Sequence, residues 1–246
     1  MLESLGLIKV PKSSDVLADK LRGEILSETY PVGSPLPTER ELVSATGLSR
    51  GSVREALRIL ESQGLVTTKA GRYGGTVVSQ PSDDLLASHI NFYAKGRSVP
   101  LRALVEVRLA LEPMVAYLAA KNRTNENLEE LQAIADRLDA AAKNDVEVFL
   151  QENSKWHDAL AAASHNELLR GFAKSVAGMM LEVSRLEEFA TPEIRSRVCK
   201  AHRRILDAIA ARDAETARAR VEKDVKAYAK ELEGALAAAE KAKASK

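Results

Sequence analysis

The chain has 246 residues, a length that suits two domains. Hydrophobic residues make up 45% of it, enough to form a buried core, which excludes an intrinsically disordered protein. The formal net charge of +1 means that any nucleic-acid binding must depend on a local patch rather than on overall charge. With one cysteine, Cys199, and no apolar run near the ~20 residues that cross a bilayer, we expect a soluble cytoplasmic protein without membrane contact.

Apolar residues at helical spacing predict a first helix over about residues 15–28, with Ser14 or Asp15 as its N-cap. Its buried face is predicted to consist of Val16, Leu17, Leu21, Ile25 and Leu26. The Pro- and Gly-rich segment 31–37 interrupts the pattern and leads into the next helix.

Two further short helices follow, separated by a tight turn. Thr38 is the predicted N-cap of the second helix, with Glu41 three residues later as its capping-box partner, and Gly47 ends it. Ser49 caps the third helix, which extends to about residue 63 before Gly64 stops it. The residues of this third helix that face inward are predicted to be Val53, Leu57 and Leu60.

After residue 64 the pattern changes from helical to strand-like. Residues 65–68 and 76–78 are rich in Val and Thr, and the segment AGRYGG between them is typical of a hairpin turn. Lys69 and Arg72 lie on this ribbon, and Tyr73, Gly74 and Gly75 are predicted to form a tip slim enough for a minor groove. The three helices and the ribbon together predict a winged helix-turn-helix, followed by a linker over 79–82.

From residue 83 onward every predicted element is a helix, and Pro113 predicts a kink in the second of them. The fold class is therefore mainly α, with a winged helix-turn-helix DNA-binding domain over residues 1–80 and an all-helical bundle over 81–246. The helices of the bundle are predicted over 83–95, 101–121, 125–143, 145–163, 166–189, 192–211 and 213–240.

The first turns of the third helix carry the side chains suited to reading DNA, because a helix-turn-helix places this end in the major groove. Arginine can donate two hydrogen bonds to guanine, and serine can bond a phosphate or a base edge. In the alternative interpretation, Arg50 and Arg54 belong to a solvated face and pair with Glu55 and Glu61. The candidates are Ser49, Arg50, Gly51, Ser52 and Arg54, with Arg40 on the preceding helix and Thr38 at its phosphate-favouring N-terminus.

The motifs LPTEREL, SR, VREAL, LE and GLV, which begin at residues 36, 49, 53, 60 and 64, resemble the N-terminal domain of the GntR family of bacterial transcription regulators. The resemblance implies that Arg40, Ser49, Arg50, Ser52 and Arg54 contact operator DNA, assisted by the wing glycine Gly75. The helical region resembles the FCD-type effector domain of the FadR-like subfamily. This second likeness is carried by VEVRLALEP around Arg108, by NSKWHDALAAASHN from Asn153, and by AHRRIL around His202.

The FCD resemblance implies a metal bound by an Asp and three His. The corresponding residues here are Asn153 and His157, four apart on one helix face, followed by His202 and Asp224. Asn153 replaces the usual Asp and Asp224 the usual last His, which leaves two imidazoles, one carboxylate and one amide. This set suits a divalent transition metal such as zinc, nickel or manganese. The alternative is a polar pocket in which hydrogen bonds satisfy both histidines and no metal binds.

Arg108 lies among apolar residues of its helix and therefore needs a partner. An ion pair with Glu112 at i+4 is the simpler interpretation, whereas the resemblance implies a clamp for the carboxylate of a small organic acid, which we favour. Trp156 is expected to pack beside the pocket. Three more candidates, which nothing in the sequence distinguishes, are Arg102, Arg195 and Arg197.

These features favour a homodimeric transcription factor, in the repressor mode common in such families, that binds a palindromic operator and responds to a small carboxylate. Two alternatives remain open. One is a metal-dependent enzyme that uses His157, His202 and Asp224, and the other is an architectural DNA-binding protein without an effector.

Overall fold

The computed structural model describes residues 10–69, 74–184 and 191–244 and divides the chain into two units, Met1–Leu85 and Leu86–Lys246. The predicted mainly α class, with a small wing and a helical second half, is confirmed. The predicted domain limits, 1–80 and 81–246, differ from this division by five residues and remain a proposal. The elements of the first unit are α1 (Ser13–Leu26), α2 (Glu39–Thr46), α3 (Arg50–Ser62), β1 (Val66–Lys69) and β2 (Gly75–Val78).

The turn between α2 and α3 is held at both ends by the predicted caps. Thr38 and Glu41 form the complete capping box at the start of α2, and Gly47 ends α2 in the left-handed conformation, with φ 69°. Ser49 Oγ accepts a hydrogen bond from the backbone N–H of Ser52 at 3.1 Å and so caps α3. The inward-facing residues Val53, Leu57 and Leu60 are buried, as predicted, and pack with α1 around one small core.

The predicted start of α1 was wrong. The helix begins at Ser13, its N-cap is Lys12 without a side-chain hydrogen bond, and Ser14 and Asp15 already lie in the first turn. Its buried stripe is also narrower than predicted. Val16 and Leu26 are 52% and 68% exposed, because each is one residue, or about 100° of helix, away from the stripe. The buried residues of α1 are Ser14, Leu17, Ala18, Leu21 and Ile25.

The wing is an antiparallel pair in which Val66 lies opposite Val78 and Lys69 opposite Gly75. Segment 33–36 pairs with the other edge of β2 through the bond from Leu36 N–H to the carbonyl oxygen of Thr76, at 2.9 Å. Sequence reasoning missed this pairing because its prolines indicated only an interruption, although proline is tolerated on a sheet edge. Of the predicted tip residues, Gly75 is the first residue of β2, and Tyr73 lies outside the described residues, as does Arg72 of the ribbon.

Every element described in the second unit is a helix, and none of the described helices has the length and hydropathy to cross a membrane. Helix α5 (Leu101–Asn122) packs on α10 (Ala214–Ala244), and α6 (Asn125–Asn144) packs on α7 (Val146–Ala163) and α9 (Pro192–Ala210), around a core that includes Trp156 and Ile205. Pro113 lies inside α5, which continues through it. The helices are α4 (Asp83–Gly96), α5 (Leu101–Asn122), α6 (Asn125–Asn144), α7 (Val146–Ala163), α8 (Glu167–Ser184), α9 (Pro192–Ala210) and α10 (Ala214–Ala244).

Gly64, directly after α3, is required by its conformation and its surroundings. Its φ is +72°, and an added Cβ would lie 3.0 Å from Leu85 Cδ2 and 3.1 Å from Pro81 Cα. We expect Gly64→Ala to destabilise the first unit by about 1–3 kcal/mol. Hydrogen exchange of the α3 amides, measured in the full chain, checks this.

The matched control is Gly51→Ala, because the added methyl lies within α3 and approaches only Ser49 Oγ, at 3.7 Å. Alanine is the better helix former, so this variant should protect α3 by up to about 1 kcal/mol. Equal exchange rates in the two variants would contradict the argument.

Candidate nucleic-acid interface and candidate ligand pocket

The residues predicted to contact DNA lie at the N-terminal ends of α2 and α3 and at the start of β2. Ser52 is partly buried, and its hydroxyl is engaged by Ser49 Oγ at 3.0 Å and by Ser13 Oγ at 3.2 Å. Ser13, on α1, is a contact that sequence reasoning did not identify. The exposed members of the set are Thr38, Arg40, Ser49, Arg50, Arg54 and Gly75.

The alternative pairing of Arg50 and Arg54 with glutamates of α3 is not what the structure has. Arg54 Nε donates to Glu39 Oε2 at 2.9 Å, which joins α3 to the first turn of α2. Within the described ranges, Arg50 has no ion-pair partner. Its guanidinium therefore stands uncompensated in the first turn of a helix, where backbone N–H groups already favour an anion such as a phosphate.

Thr38 is less available to a phosphate than its position suggests. Glu41 Oε2 accepts hydrogen bonds at 2.8 Å from both the backbone N–H and the hydroxyl of Thr38. These two bonds hold the pKa of the Glu41 carboxyl below its usual value. The capping box thus uses the donors that a phosphate would need, and Arg40, next to it and exposed, is the better-placed cation.

A cavity of ≈ 90 Å³ lies between α5, α7, α8, α9 and α10. Its lining includes the predicted effector residue and all four predicted metal residues, which are separated by up to 116 positions in the sequence and meet here. Its lining also includes apolar side chains, among them Phe149, Met180 and Ile194. The predicted residues that line it are Arg108, Asn153, His157, His202 and Asp224.

His202 is held against Trp156, which packs beside the pocket as predicted. The two rings are parallel, with centroids 3.7 Å apart and an angle of 2°, and each residue is only 1% exposed. The His157 ring stands perpendicular to that of His202, with centroids 5.4 Å apart. Burial lowers the pKa of His202 well below 6.5 and also lowers that of His157, so both imidazoles are neutral, the form that binds metals.

Among the described residues of the pocket, His202 Nδ1 and Asn153 Oδ1 are buried polar atoms without a hydrogen-bond partner. Burial raises the pKa of Asp224 to about 6, an effect that Arg108 opposes and Glu112 reinforces. In the described part of the chain, no three His, Cys, Asp or Glu side chains are arranged, as they stand, to hold a metal ion. The predicted metal residues therefore share the cavity without converging on one point.

Arg108 has the partner that the simpler interpretation assigned to it. Its Nε donates to Glu112 Oε1 at 2.6 Å and its Nη2 to Glu112 Oε2 at 3.1 Å, with side-chain exposures of 8% and 15%. Burial acts to raise the pKa of Glu112, but the guanidinium outweighs it and holds the pKa low. Arg108 also lies over the Tyr228 ring, 5.0 Å from its centroid.

A second ion pair lines the same cavity and was not predicted. Arg197 Nη2 lies 2.5 Å from Glu231 Oε2, which joins α9 to α10. The other two candidates behave differently, since Arg195 donates to the carbonyl oxygen of Ala142 and Arg102 is exposed beside Glu106. No signal in the sequence distinguishes Arg197, because its partner lies 34 residues away on another helix.

Comparison with known proteins relates both halves of the chain to bacterial regulators. Residues 13–78 match the family described as bacterial regulatory proteins, gntR family, and residues 103–227 match the FCD domain. An Escherichia coli K12 protein whose name assigns it to the regulation of an L-lactate dehydrogenase operon is 31% identical over 228 residues, which cover 86% of this chain and 83% of that protein.

The Glc operon transcriptional activator of Escherichia coli K12 is 29% identical over 203 residues, which cover 79% of each chain. Among solved structures, the Streptococcus agalactiae GntR superposes with a TM-score of 0.66 at 24% identity and covers 88% of this chain and 99% of its own. This last likeness supports the fold.

Breaking the buried pair should destabilise the second unit in the absence of any ligand. Arg108→Gln leaves the Glu112 carboxylate buried without a cation, and we expect a loss of about 3–5 kcal/mol. Urea unfolding followed by fluorescence of Trp156, the single tryptophan of the chain, reports on this unit.

The control is Arg102→Gln, which removes the cation of another i,i+4 pair on α5 whose side chains are 82% and 67% exposed. It should leave the unfolding midpoint unchanged. A loss under about 1 kcal/mol for Arg108→Gln would mean that the pair does not hold the pocket together.

Proposed function

Because the chain belongs to the GntR family of bacterial transcription regulators and carries an FCD domain, we propose that it is an acid-responsive repressor. In this proposal a homodimer binds a palindromic operator, and a small carboxylate in the helical pocket lowers its affinity for DNA. Like its relatives, the chain is a transcription regulator rather than an enzyme. The alternative of a metal-dependent enzyme is therefore set aside.

The observation that carries the DNA-binding proposal is the uncompensated Arg50 in the capped first turn of α3. An arginine at this position of a recognition helix can donate two hydrogen bonds to guanine. Arg54, whose pair with Glu39 is exposed, and Arg40 supply further positive charge. One short helix distinguishes few base pairs, so we propose two copies on a two-fold operator.

The cavity volume supports a small acid as effector. At ≈ 90 Å³ it is several times the ~10–15 Å³ that a cavity needs to hold one water and smaller than a cavity of ~150 Å³ that binds benzene, so it admits an acid of few carbon atoms. The apolar lining residues, which include Phe149, Met180 and Ile194, suit a short hydrocarbon portion. The relative assigned to an L-lactate dehydrogenase operon makes L-lactate the first acid to test on this chain.

The charges of the pocket support a metal cation as well. Among the described residues that line the pocket, the carboxylates of Asp224, Glu112 and Glu231 outnumber the two arginines, so a cation bound there would balance their charge. The unpartnered Oδ1 of Asn153 and Nδ1 of His202 are donors of the type that a divalent transition metal accepts. We therefore propose that Asn153, His157, His202 and Asp224 hold zinc, nickel or manganese once their side chains turn toward it. A metal held there would act as a Lewis acid that binds the carboxylate.

The acid can alter DNA binding only if it binds one arrangement of the protein more tightly than another. Residues of five helices line the pocket, so occupation of the cavity bears on their packing. An architectural protein without an effector would show no such dependence.

Arg50→Ala should weaken binding to the preferred operator by about 1–3 kcal/mol and relax the choice of one base pair in each half-site. The operator is obtained by selection from random-sequence duplexes, and affinities are measured by fluorescence anisotropy at a stated salt concentration. Arg58→Ala is the control, because Arg58 lies on the same helix, is 75% exposed and pairs with Glu55. Recovery of no palindrome from the selection would contradict the proposal.

Asn153→Asp should tighten metal binding, because a carboxylate is a stronger ligand than an amide oxygen. Zinc, nickel and manganese are added in turn while Trp156 fluorescence and native mass are recorded. At a concentration 100 times Kd the metal should stabilise the second unit by about 2.7 kcal/mol.

Gln151→Glu, which adds a carboxylate to the exposed side of α7, should leave metal affinity unchanged. If none of the three metals binds the original chain or Asn153→Asp, the metal part of the proposal is wrong.

A further inference from the structure

The two Arg–Glu pairs of the cavity differ in how freely they can be broken. In the Arg108–Glu112 pair the side chains are 8% and 15% exposed, and two hydrogen bonds join them. In the Arg197–Glu231 pair they are 48% and 30% exposed, and one hydrogen bond joins them. Both pairs line one cavity, so an acid that enters meets two guanidinium groups of different availability.

A buried pair resists exchange because the displaced carboxylate would remain in a medium of low dielectric constant. The Glu112 side chain is only 15% exposed, and its own helix holds it at i+4 from Arg108. Glu231 is partly exposed, and when released its carboxylate can be solvated. Exposed pairs of this kind contribute little net stability, so breaking this one costs little.

Arg197 also gains from the exchange. Its present pair uses Nη2 alone, whereas a guanidinium can hold a carboxylate through two parallel N–H groups. Ile194 and Val198 lie beside it on α9 and line the same cavity, so the hydrocarbon part of an acid would have apolar contact. With Glu231 turned to solvent, the acid adds no net negative charge around Arg197.

We propose that Arg197, rather than Arg108, takes the carboxylate of the effector, and that the acid displaces Glu231 from it. This assignment rests on the proposed effector function and changes which residue performs it. The displaced contact is one that joins α9 to α10, so acid binding removes a tie between these two helices. Arg108 keeps Glu112 and acts as part of the frame of the pocket.

The test is calorimetric titration of the full chain with L-lactate, glycolate, pyruvate and acetate, each with and without zinc. Arg197→Gln should weaken acid binding at least ~10-fold, because a hydrogen bond to a charged group is lost. Arg197→Lys keeps the positive charge but lacks the two parallel N–H groups, so its affinity for the acid should lie between those of the original chain and Arg197→Gln. Glu231→Gln removes the competing anion and should tighten binding up to ~5-fold.

Arg204→Gln is the matched control, since Arg204 is exposed on the same helix two turns away and does not line this cavity. L-Lactamide, which lacks the carboxylate, should show no dependence on Arg197 or Glu231. Trp156 fluorescence establishes whether each variant is folded. If Arg197→Gln is not folded, Glu231→Gln still tests the exchange.

The two proposals fail in different ways. If no acid binds the original chain, the effector part of the proposed function is wrong, and this assignment with it. If an acid binds the original chain and Arg197→Gln equally well, or if Glu231→Gln weakens binding, the proposed function stands and the exchange at Arg197 is overturned.

Discussion

The buried ion pair between Arg108 and Glu112 determines which charges of the helical pocket are already neutralised within the protein. A guanidinium with so little exposure must be neutralised where it stands, and the i+4 carboxylate does this with two hydrogen bonds. Once it is neutralised, the remaining charges of the cavity are those of Asp224 and of the Arg197–Glu231 pair. The raised pKa of Asp224, about 6, reflects the cost of that carboxylate in the same buried surroundings.

This distribution of charge separates stability from recognition. The Arg108–Glu112 pair and the Trp156–His202 stack form a packed interior, so most substitutions there should destabilise the unit. The outer pair, nearer to solvent, contributes little to stability and is free to respond to a ligand. A pocket built in this way can exchange an internal carboxylate for an external one and remain folded, which a sensor requires.

In the first unit, the helix caps hold the structure in place, as the buried ion pair does in the second. The capping box of Thr38 and Glu41 and the Ser49 cap use polar side chains to fix where α2 and α3 begin. Arg54 and Glu39 then join these two beginnings. Arg50 is left outside this network and exposed, so rigid placement of the helix end and availability of a cation for DNA are compatible.

Local features were read correctly from the sequence because their physical causes are local. Capping residues, the positive-φ glycines Gly47 and Gly64, helical periodicity and the i+4 partner of Arg108 each depend on neighbours within a few positions. The error at the start of α1 is also local. The N-cap, Lys12, has an extended backbone but makes no side-chain hydrogen bond to the helix, so its residue type does not mark the start. The five predicted pocket residues were known as a set through family resemblance, not through any local pattern.

Tertiary structure alone decided what depends on distant helices meeting. It paired segment 33–36 with β2, gave Arg54 the partner Glu39 instead of a glutamate on its own helix, and brought Arg197 to Glu231 across the cavity. By itself, the sequence determined a capped recognition helix, a wing and a helical bundle containing a buried arginine. Which arginine of the pocket can leave its partner at little cost was decided by burial, because the cost of breaking an ion pair depends on the solvent around it.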